Sequence, residues 1–520
     1  MTPRRLAARL RAEPALYAGL VLLALVLRLS ELGERPFHHD ESQDAYFSWT
    51  ESFEYNPLLH GPLRFYLTAA MYAVFGASDF SARLAPALMG TAMVALPYLL
   101  RAQLGRVGAF AAAAFLAVGP SYLYFSRFAR EDIYVACITL GLFVVVLRFL
   151  DGPRRWHPAA AGGLLAASFA TKESTFITVF AAGTFLGPLA LVEWRRGDPR
   201  LLHRVGALGG RAWAWGAAAF AGVFTLLFTV FLTHPGGLAD GLWDGLEYWL
   251  GQQPVARGGE PVGFYAFLLF GMEWPVLLLA AVGVAATVRR PSTGRWLIVW
   301  MFAMSLAVYS WASEKFAWLV LHPLLPLILL AGLGVQLLWS TRERWVARAG
   351  IAVALLAVLY TGYASFRTNV TSPADPRELL VSTQSSSDVV GVRDDVLAIA
   401  RRTERPLSVT VDSAEGATFP WAWYFRDLGA GYVDLQRAAE AVPSTDVLIL
   451  TSAARTRLAP QLAAGYEGRR FDLRVWWVKD YDKAFSPAVW ARYMADREPW
   501  NPTGGMPEWL YVRRDLTGRA

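Results

Sequence analysis

The chain has 520 residues, of which 55% are hydrophobic and only 18% charged, against about 25% charged in an ordinary soluble domain. Its apolar residues gather in blocks about twenty long rather than in amphipathic stripes, which excludes an ordinary soluble enzyme and predicts a polytopic membrane protein. The net charge is +7, but most arginines of the apolar half stand in short loops where they orient a membrane chain, so nucleic acid is discounted as a partner. The single cysteine, Cys137, lies inside an apolar run, so an intrachain disulfide and a multi-cysteine metal site are both excluded.

The first apolar block, Ala15–Leu32, follows Arg4, Arg5, Arg9 and Arg11 and is too long for a signal-peptide core. It is expected to remain as a first span with a cytoplasmic N-terminus. Further spans are predicted near 84–100, 108–125, 133–150, 159–171, 176–192, 212–232, 264–288, 296–311, 317–338 and 350–363, about eleven in all. Alternation then puts Arg101 and Arg106, Arg154 and Arg155, Arg195 to Arg204, Arg289 to Arg295, and Arg342 to Arg348 on the cytoplasmic side, as the positive-inside rule requires. The stretch His60–Gly76 is apolar but short for a span, and is expected to lie along the outer interface. Making it a span would turn every later arginine cluster outward.

After Tyr363 the composition becomes polar, and short β-rich runs at 407–411, 447–451, 471–478 and 509–512 alternate with helical stretches such as Asp394–Arg402. The expected fold is thus an all-α polytopic membrane domain over 1–365, including a first outer loop at 34–83, with an outer α/β domain over 366–520.

Lysine occurs only at Lys172, Lys315, Lys479 and Lys483. Lys172 and Lys315 fall at outer helix ends, where cations are otherwise scarce. The same rim receives Arg127, Arg130, Glu131 and Asp132, together with Arg257. Such cations suit a phosphate group, arginine as a planar fork and lysine as a point charge. The competing reading is that they pair with their neighbours Glu131, Glu173 and Glu314. The first outer loop holds His38, His39, Asp40 and Glu41, then Asp44 and His60-Gly61-Pro62. Adjacent carboxylates raise the pKa of one of the two and suit a general base or a divalent cation, although the spacing fits no fixed zinc motif. The dinucleotide-binding glycine motif, the Walker loop, the Gly-x-Ser-x-Gly elbow and His-Glu-x-x-His do not occur in the sequence.

With these residues in view, the sequence resembles the GT-C superfamily of glycosyltransferases that use lipid-phosphate sugars, including the protein mannosyltransferases and the aminoarabinose transferase. The resemblance rests on His39-Asp40-Glu41, on Arg83-Leu84-x-x-Ala87-Leu88-x-Gly90, and on Ser126-Arg127-x-Ala129-Arg130-x-Asp132. It is similar more particularly to the flippase-activity-associated proteins of prokaryotic surface glycosylation, through His60-Gly61-Pro62, Ala256-Arg257-Gly258-Gly259, Ser313-Glu314-Lys315 with Trp318, and His322-Pro323. The resemblance implies a catalytic base at Asp40, with Glu41 beside it, and a second acidic position at Glu131 or Asp132.

The expected reaction is transfer of a sugar from a polyprenyl-phosphate donor to a hydroxyl of a protein or glycan acceptor at the outer membrane face. Asp40 would take the acceptor proton, while Arg130, Lys172, Arg257 and Lys315 hold the departing phosphate. His38, His39, His60, Arg127, Glu173 and His322 complete the expected substrate-binding set. A cofactor is not required by this scheme, and the histidines leave room for a divalent metal. The rival expectation is a transporter or flippase for lipid-linked sugars, or a non-catalytic partner of one; the absence of an internal repeat in the sequence counts against a transporter.

Overall fold

A computed structural model describes residues 3–252, 257–341, 344–437 and 445–517. Ala256 and Arg342, both singled out above, lie outside the described residues. The chain divides into two compact units. The first comprises residues up to Leu32, Ser52–Gly76 and Ser81–Thr371; the second comprises Gly33–Glu51, Ala77–Phe80 and Ser372 onward. The helix carrying Asp40 and Glu41, which the sequence groups with the membrane half, therefore packs in the same body as the C-terminal part.

In the first unit every predicted apolar block lies on a helix. Six helices among the described residues are long and apolar enough to cross a bilayer, and a seventh arises if the bent pair Arg106–Val118 and Pro120–Ser126 is one span. Other blocks make shorter or less apolar helices, His157–Phe169 having 13 residues and Thr293–Trp311 having 19. His60–Gly76 contributes the helix Leu63–Phe75, about 20 Å long at 1.5 Å per residue and so shorter than the hydrocarbon thickness. Helices approach closely where glycines face each other: a side chain on Gly162 would meet the backbone of Gly216, and one on Gly108 the backbone of Gly332.

The bent pair breaks by 53° at Gly119-Pro120, where proline cannot donate the hydrogen bond that would continue the helix. Each freed backbone group then needs a partner in a water-free setting. At the carbonyl end, Arg28 donates to Leu116 O at 2.8 Å and Ala117 O at 3.0 Å, and Ser365 donates to Val118 O. At the amide end, Glu273 Oε1 accepts from Ser121 N at 3.1 Å. A cation thus meets the negative end of one half-helix and a carboxyl group the positive end of the next.

The second unit is built on a six-stranded mixed sheet: β1 (Gln384–Ser385), β2 (Val409–Asp412), β3 (Gly431–Val433), β4 (Val447–Thr451), β5 (Tyr466–Trp476) and β6 (Gly504–Arg513), in the spatial order β1-β5-β6-β4-β2-β3. β2 pairs in parallel with β3 and β4, and the remaining pairs are antiparallel. Val447–Thr451 is buried throughout, as expected of a central strand covered on both faces. Leu448 and Leu450 pack against Ala454, Leu458 and Leu462 of the helix Ser452–Gly465, whose amphipathic face faces the sheet.

Candidate active site

In the first unit, two loops and three helix ends bring most of the expected charged residues into one buried cluster. Glu131 and Asp132 open the helix Asp132–Asp151, and Lys172 and Glu173 fill the turn between His157–Phe169 and Thr175–Arg195. Lys172 Nζ donates to Glu131 Oε1 at 2.7 Å and to Asp132 Oδ1 at 2.9 Å. Arg130 Nη2 donates to Glu131 Oε1 at 2.9 Å, and its guanidinium lies 4.1 Å over the Trp318 ring. His322 Nε2 is 3.4 Å from Asp132 Oδ1, and its ring stacks on Tyr309 with centroids 4.8 Å apart.

His60 closes the cluster from the other side. Its Nδ1 lies 2.7 Å from Glu173 Oε2 and its Nε2 lies 3.4 Å from Glu131 Oε1. Tyr55 donates to the other oxygen of Glu173 at 2.8 Å. The His60-Gly61-Pro62 signature has a local cause. Gly61 N donates to Thr171 O at 3.1 Å, Leu63 N donates to Ala170 O at 2.8 Å, and a side chain on Gly61 would run into the Ala170–Thr171 backbone. With that docking fixed, His60 adopts φ 61° and ψ −163°, a region essentially reserved for glycine that costs about 1–3 kcal/mol and persists only where the surroundings enforce it.

Electrostatics follow from the packing. Burial raises the cost of ionising Glu131, but Arg130, Lys172, His60 and Arg64 outweigh it and hold the carboxyl well below the usual range. Burial likewise opposes the charged imidazole of His60, yet Glu173 and Glu131 prevail over it and over Lys172, so its pKa is raised. Lys172, opposed by burial, is raised by Asp132 and Glu131.

The remaining expected residues divide. Arg127 donates to the carbonyls of Ser30 (2.6 Å), Glu31 (3.2 Å) and Asn369 (3.0 Å), tying chain segments together. Arg257 is exposed; its carbonyl accepts from Lys315 N at 3.1 Å, so that the Arg-Gly-Gly and Ser-Glu-Lys signatures pair through their backbones. Gly258, at φ +88°, passes so close to Lys315 O that a side chain would clash. Lys315 Nζ donates to Ala312 O at 2.6 Å. The Arg83–Gly90 and Ser126–Asp132 signatures also meet, since a side chain on Gly90 would strike Ser126 and Arg28.

In the second unit, the helix His39–Trp49 is started by a reciprocal cap: Asp40 N donates to His38 Nδ1 at 3.0 Å, and His38 N donates to Glu41 Oε2 at 3.1 Å. His38 Nε2 donates to Ser382 O at 3.0 Å, so the ring that accepts from Asp40 N at Nδ1 carries its proton on Nε2. Glu41 is fully buried and also accepts from Arg35 at 3.1 Å, so it serves the helix start, whereas the Asp40 side chain is 30% exposed. His39 Nδ1 accepts from Arg474 at 2.7 Å. The pair Asp40 and Glu41 therefore separates into one accessible carboxylate and one structural one. His39 and Asp40 belong to this unit and His60 to the other, and among the described residues no three His, Cys, Asp or Glu side chains are placed to hold a metal ion.

Sequence reasoning missed Tyr55, Arg64, Tyr309 and Arg474. Arg64 carried a usable signal: it is a lone cation in an apolar stretch, buried and 3.8 Å from Glu131, and such a charge needs a partner.

The fold formed by these helices is that of the GT-C glycosyltransferases, and the protein is an integral membrane protein. Residues 59–208 match the family described as dolichyl-phosphate-mannose-protein mannosyltransferase. Among solved structures the chain is similar to ArnT from Cupriavidus metallidurans, at 14% identity over 98% of this chain and 100% of ArnT, with a TM-score of 0.61. It is also similar to the Archaeoglobus fulgidus oligosaccharyltransferase, at 12% identity over 88% of this chain and 69% of that one (TM-score 0.53). A third similar structure is the arabinofuranosyltransferase AftD from Mycobacteria, at 14% identity over 96% and 40% of the respective chains (TM-score 0.50). Curated proteins compared by sequence give no match.

Proposed function

We propose that the protein is a glycosyltransferase that moves a sugar from a polyprenyl-phosphate donor to an acceptor hydroxyl of a protein or glycan at the outer membrane face. The observation that supports this best is the end-to-end likeness to ArnT, one of whose structures holds undecaprenyl phosphate, combined with the buried cation cluster around Glu131. In the reaction, the acceptor oxygen bonds to the anomeric carbon from the side opposite the phosphate, inverting it, while the bond to the phosphate oxygen breaks. Asp40 accepts the acceptor proton, and the electron pair stays on the lipid phosphate, whose extra charge Arg130 and Lys172 stabilise. Arg257 and Lys315, outside this set of ion pairs, act on the same phosphate. These cations meet the leaving charge without a divalent metal, so chelation is expected to leave transfer intact.

The test is transfer of labelled sugar from a synthetic polyprenyl-phosphate sugar in detergent. Asp40→Asn keeps the shape and removes the base, so donor binding should persist while transfer falls by about 10²-fold or more. Undiminished transfer would remove the base assignment, and a parent that moves the donor across liposomes without transfer would make it a transporter. The proposed orientation, with a cytoplasmic N-terminus and the second unit outside, is tested by cysteine labelling at Gln43 and Ala400 in a Cys137→Ser background. Both should label from the outer side; labelling from opposite sides would overturn the scheme.

A further inference from the structure

Asp40, the proposed base, follows two imidazoles along the chain. His38 Nδ1 lies 3.9 Å from Asp40 Oδ1, and His39 is the residue immediately before it. Either ring, if protonated, would put a cation beside the base. An imidazolium there pairs with the carboxylate and weakens it as a proton acceptor. Both rings are instead held in the uncharged form. His38 accepts from Asp40 N at Nδ1 and donates from Nε2 to Ser382 O, so its one lone pair and its one proton are both in use.

His39 is held by a different partner. Arg474 on β5 donates from Nη2 to His39 Nδ1 at 2.7 Å, and the ring packs edge-on against Phe419 with centroids 5.8 Å apart. A guanidinium has donors only, so this bond exists only while Nδ1 offers a lone pair, which an imidazolium lacks. Among the described residues the other hydrogen bonds of Arg474 go to the carbonyls of Gly416 and Phe419, not to a carboxylate. The acid that acts on Arg474 is Glu508 on β6, and burial pushes that carboxyl up to about 8, so it is protonated at neutral pH. The charge of Arg474 is therefore not cancelled and opposes a second cation on His39.

We propose that Arg474 is a positioning residue for the base: by holding His39 neutral, with its proton on Nε2, it keeps an imidazolium away from Asp40 and preserves transfer on the acid side of neutrality. This rests on the reading of Asp40 as the base and deepens it. The charged and titratable groups around His39 are Arg474 from β5, with Glu508 of β6 behind it, and His38, Asp40 and Asp44 from its own segment. The stretch after β2 presents the Phe419 ring, while its Glu415 accepts from Gln436. With Arg474 removed, Nδ1 is free to take a proton near the ordinary imidazole value of about 6.5, and Asp40 and Asp44 favour that proton.

The charge of the ring is read by nitrogen-15 NMR of the detergent-solubilised full chain labelled at histidine, with His39→Gln identifying the resonances. In the parent, His39 should be the neutral, Nε2-protonated ring at pH 6.0, where a free imidazole is about three-quarters charged. In Arg474→Met it should titrate near 6.5. Transfer of labelled sugar from the synthetic polyprenyl-phosphate donor is then followed from pH 7.5 to 5.5, and each variant's rate is divided by the parent's. For Arg474→Met this ratio should fall about tenfold, following the share of the ring left neutral. For Arg474→Met combined with His39→Gln the ratio, whatever its level, should not change with pH. An arginine that only braces the fold would lower the melting temperature and leave the ratio constant in both variants, which would overturn the proposal; so would a charged His39 in the parent at pH 6.0. If Arg474→Met does not fold, the parent spectrum decides. Undiminished transfer by Asp40→Asn would remove the base reading instead, and with it the purpose of the contact, even where the spectrum shows a neutral ring.

Discussion

Glu131 and Glu508 are both glutamates almost completely removed from solvent, one in each unit, yet one is ionised and the other holds its proton. Glu131 faces four cations and stays ionised. Glu508, on β6, lies beside no such set: burial pushes its pKa up to about 8, Trp421 and Arg474 oppose this, and Asp412 and Glu415 reinforce it. Trp421 Nε1 donates to Glu508 Oε2 at 3.3 Å. Burial alone thus does not set the charge of a carboxyl group; its neighbours do. Ionised groups with several partners can exchange one for a ligand, whereas a neutral carboxyl in a sheet is a packing element.

The largest effect that would break this contrast comes from removing a cation from the first cluster. Lys172→Met leaves two buried carboxylates short of a partner and should cost about 3–5 kcal/mol of stability, read as a drop in melting temperature in detergent. Lys172→Met combined with Glu131→Gln restores the balance of charge and should recover most of that loss while donor binding stays weak. Equal melting of the single and double variants would show that Glu131 does not depend on Lys172.

Next in size is the effect of pH on the second unit. The folded state keeps the Glu508 proton up to about 8 while the unfolded chain releases it from 4.5, so stability is full below 4.5 and declines as pH rises towards 8. The expected slope is on the order of 1 kcal/mol per pH unit, measured by hydrogen exchange of the β4 and β6 amides. Glu508→Gln should flatten it; an unchanged slope would mean that the carboxyl ionises in place.

The smallest effect is that of His60 on folding. Its raised pKa contributes stability that is complete below the ordinary value of 6.5 and is lost as pH rises through the folded value. Melting of the parent should therefore decline on the alkaline side relative to His60→Gln, and parallel curves would remove His60 from the ion-pair network.

The periodicity that makes a helix and the length that spans a bilayer are local properties, so each apolar block was legible as a helix. The runs at 407–411, 447–451, 471–478 and 509–512 became β2, β4, β5 and β6. The two-residue β1 and three-residue β3 were too short to leave a pattern, and they exist because neighbouring strands supply their pairing. In the site, Glu131, Asp132, Lys172 and Glu173 were legible because charges at helix ends near an apolar core need a reason. Their mutual pairing depends on contacts 40 or more residues apart along the chain, which no spacing rule reveals. Glu41 shows a further limit: the acid that reads as part of a reactive pair is consumed by the cap it makes with His38.

The break at Gly119-Pro120 has a consequence for the order of biogenesis. Arg28, which meets the carbonyl end of the break, is synthesised before it, but Glu273, which meets the amide end, lies 152 residues after Ser121. At about 5–20 residues per second, roughly 8–30 s of translation separate the two. Throughout that interval the carbonyls of Leu116 and Ala117 have Arg28, whereas the Ser121 amide lacks Glu273 and the Val118 carbonyl waits longer still for Ser365, so the two half-helices at the break are completed from opposite ends of the chain's synthesis.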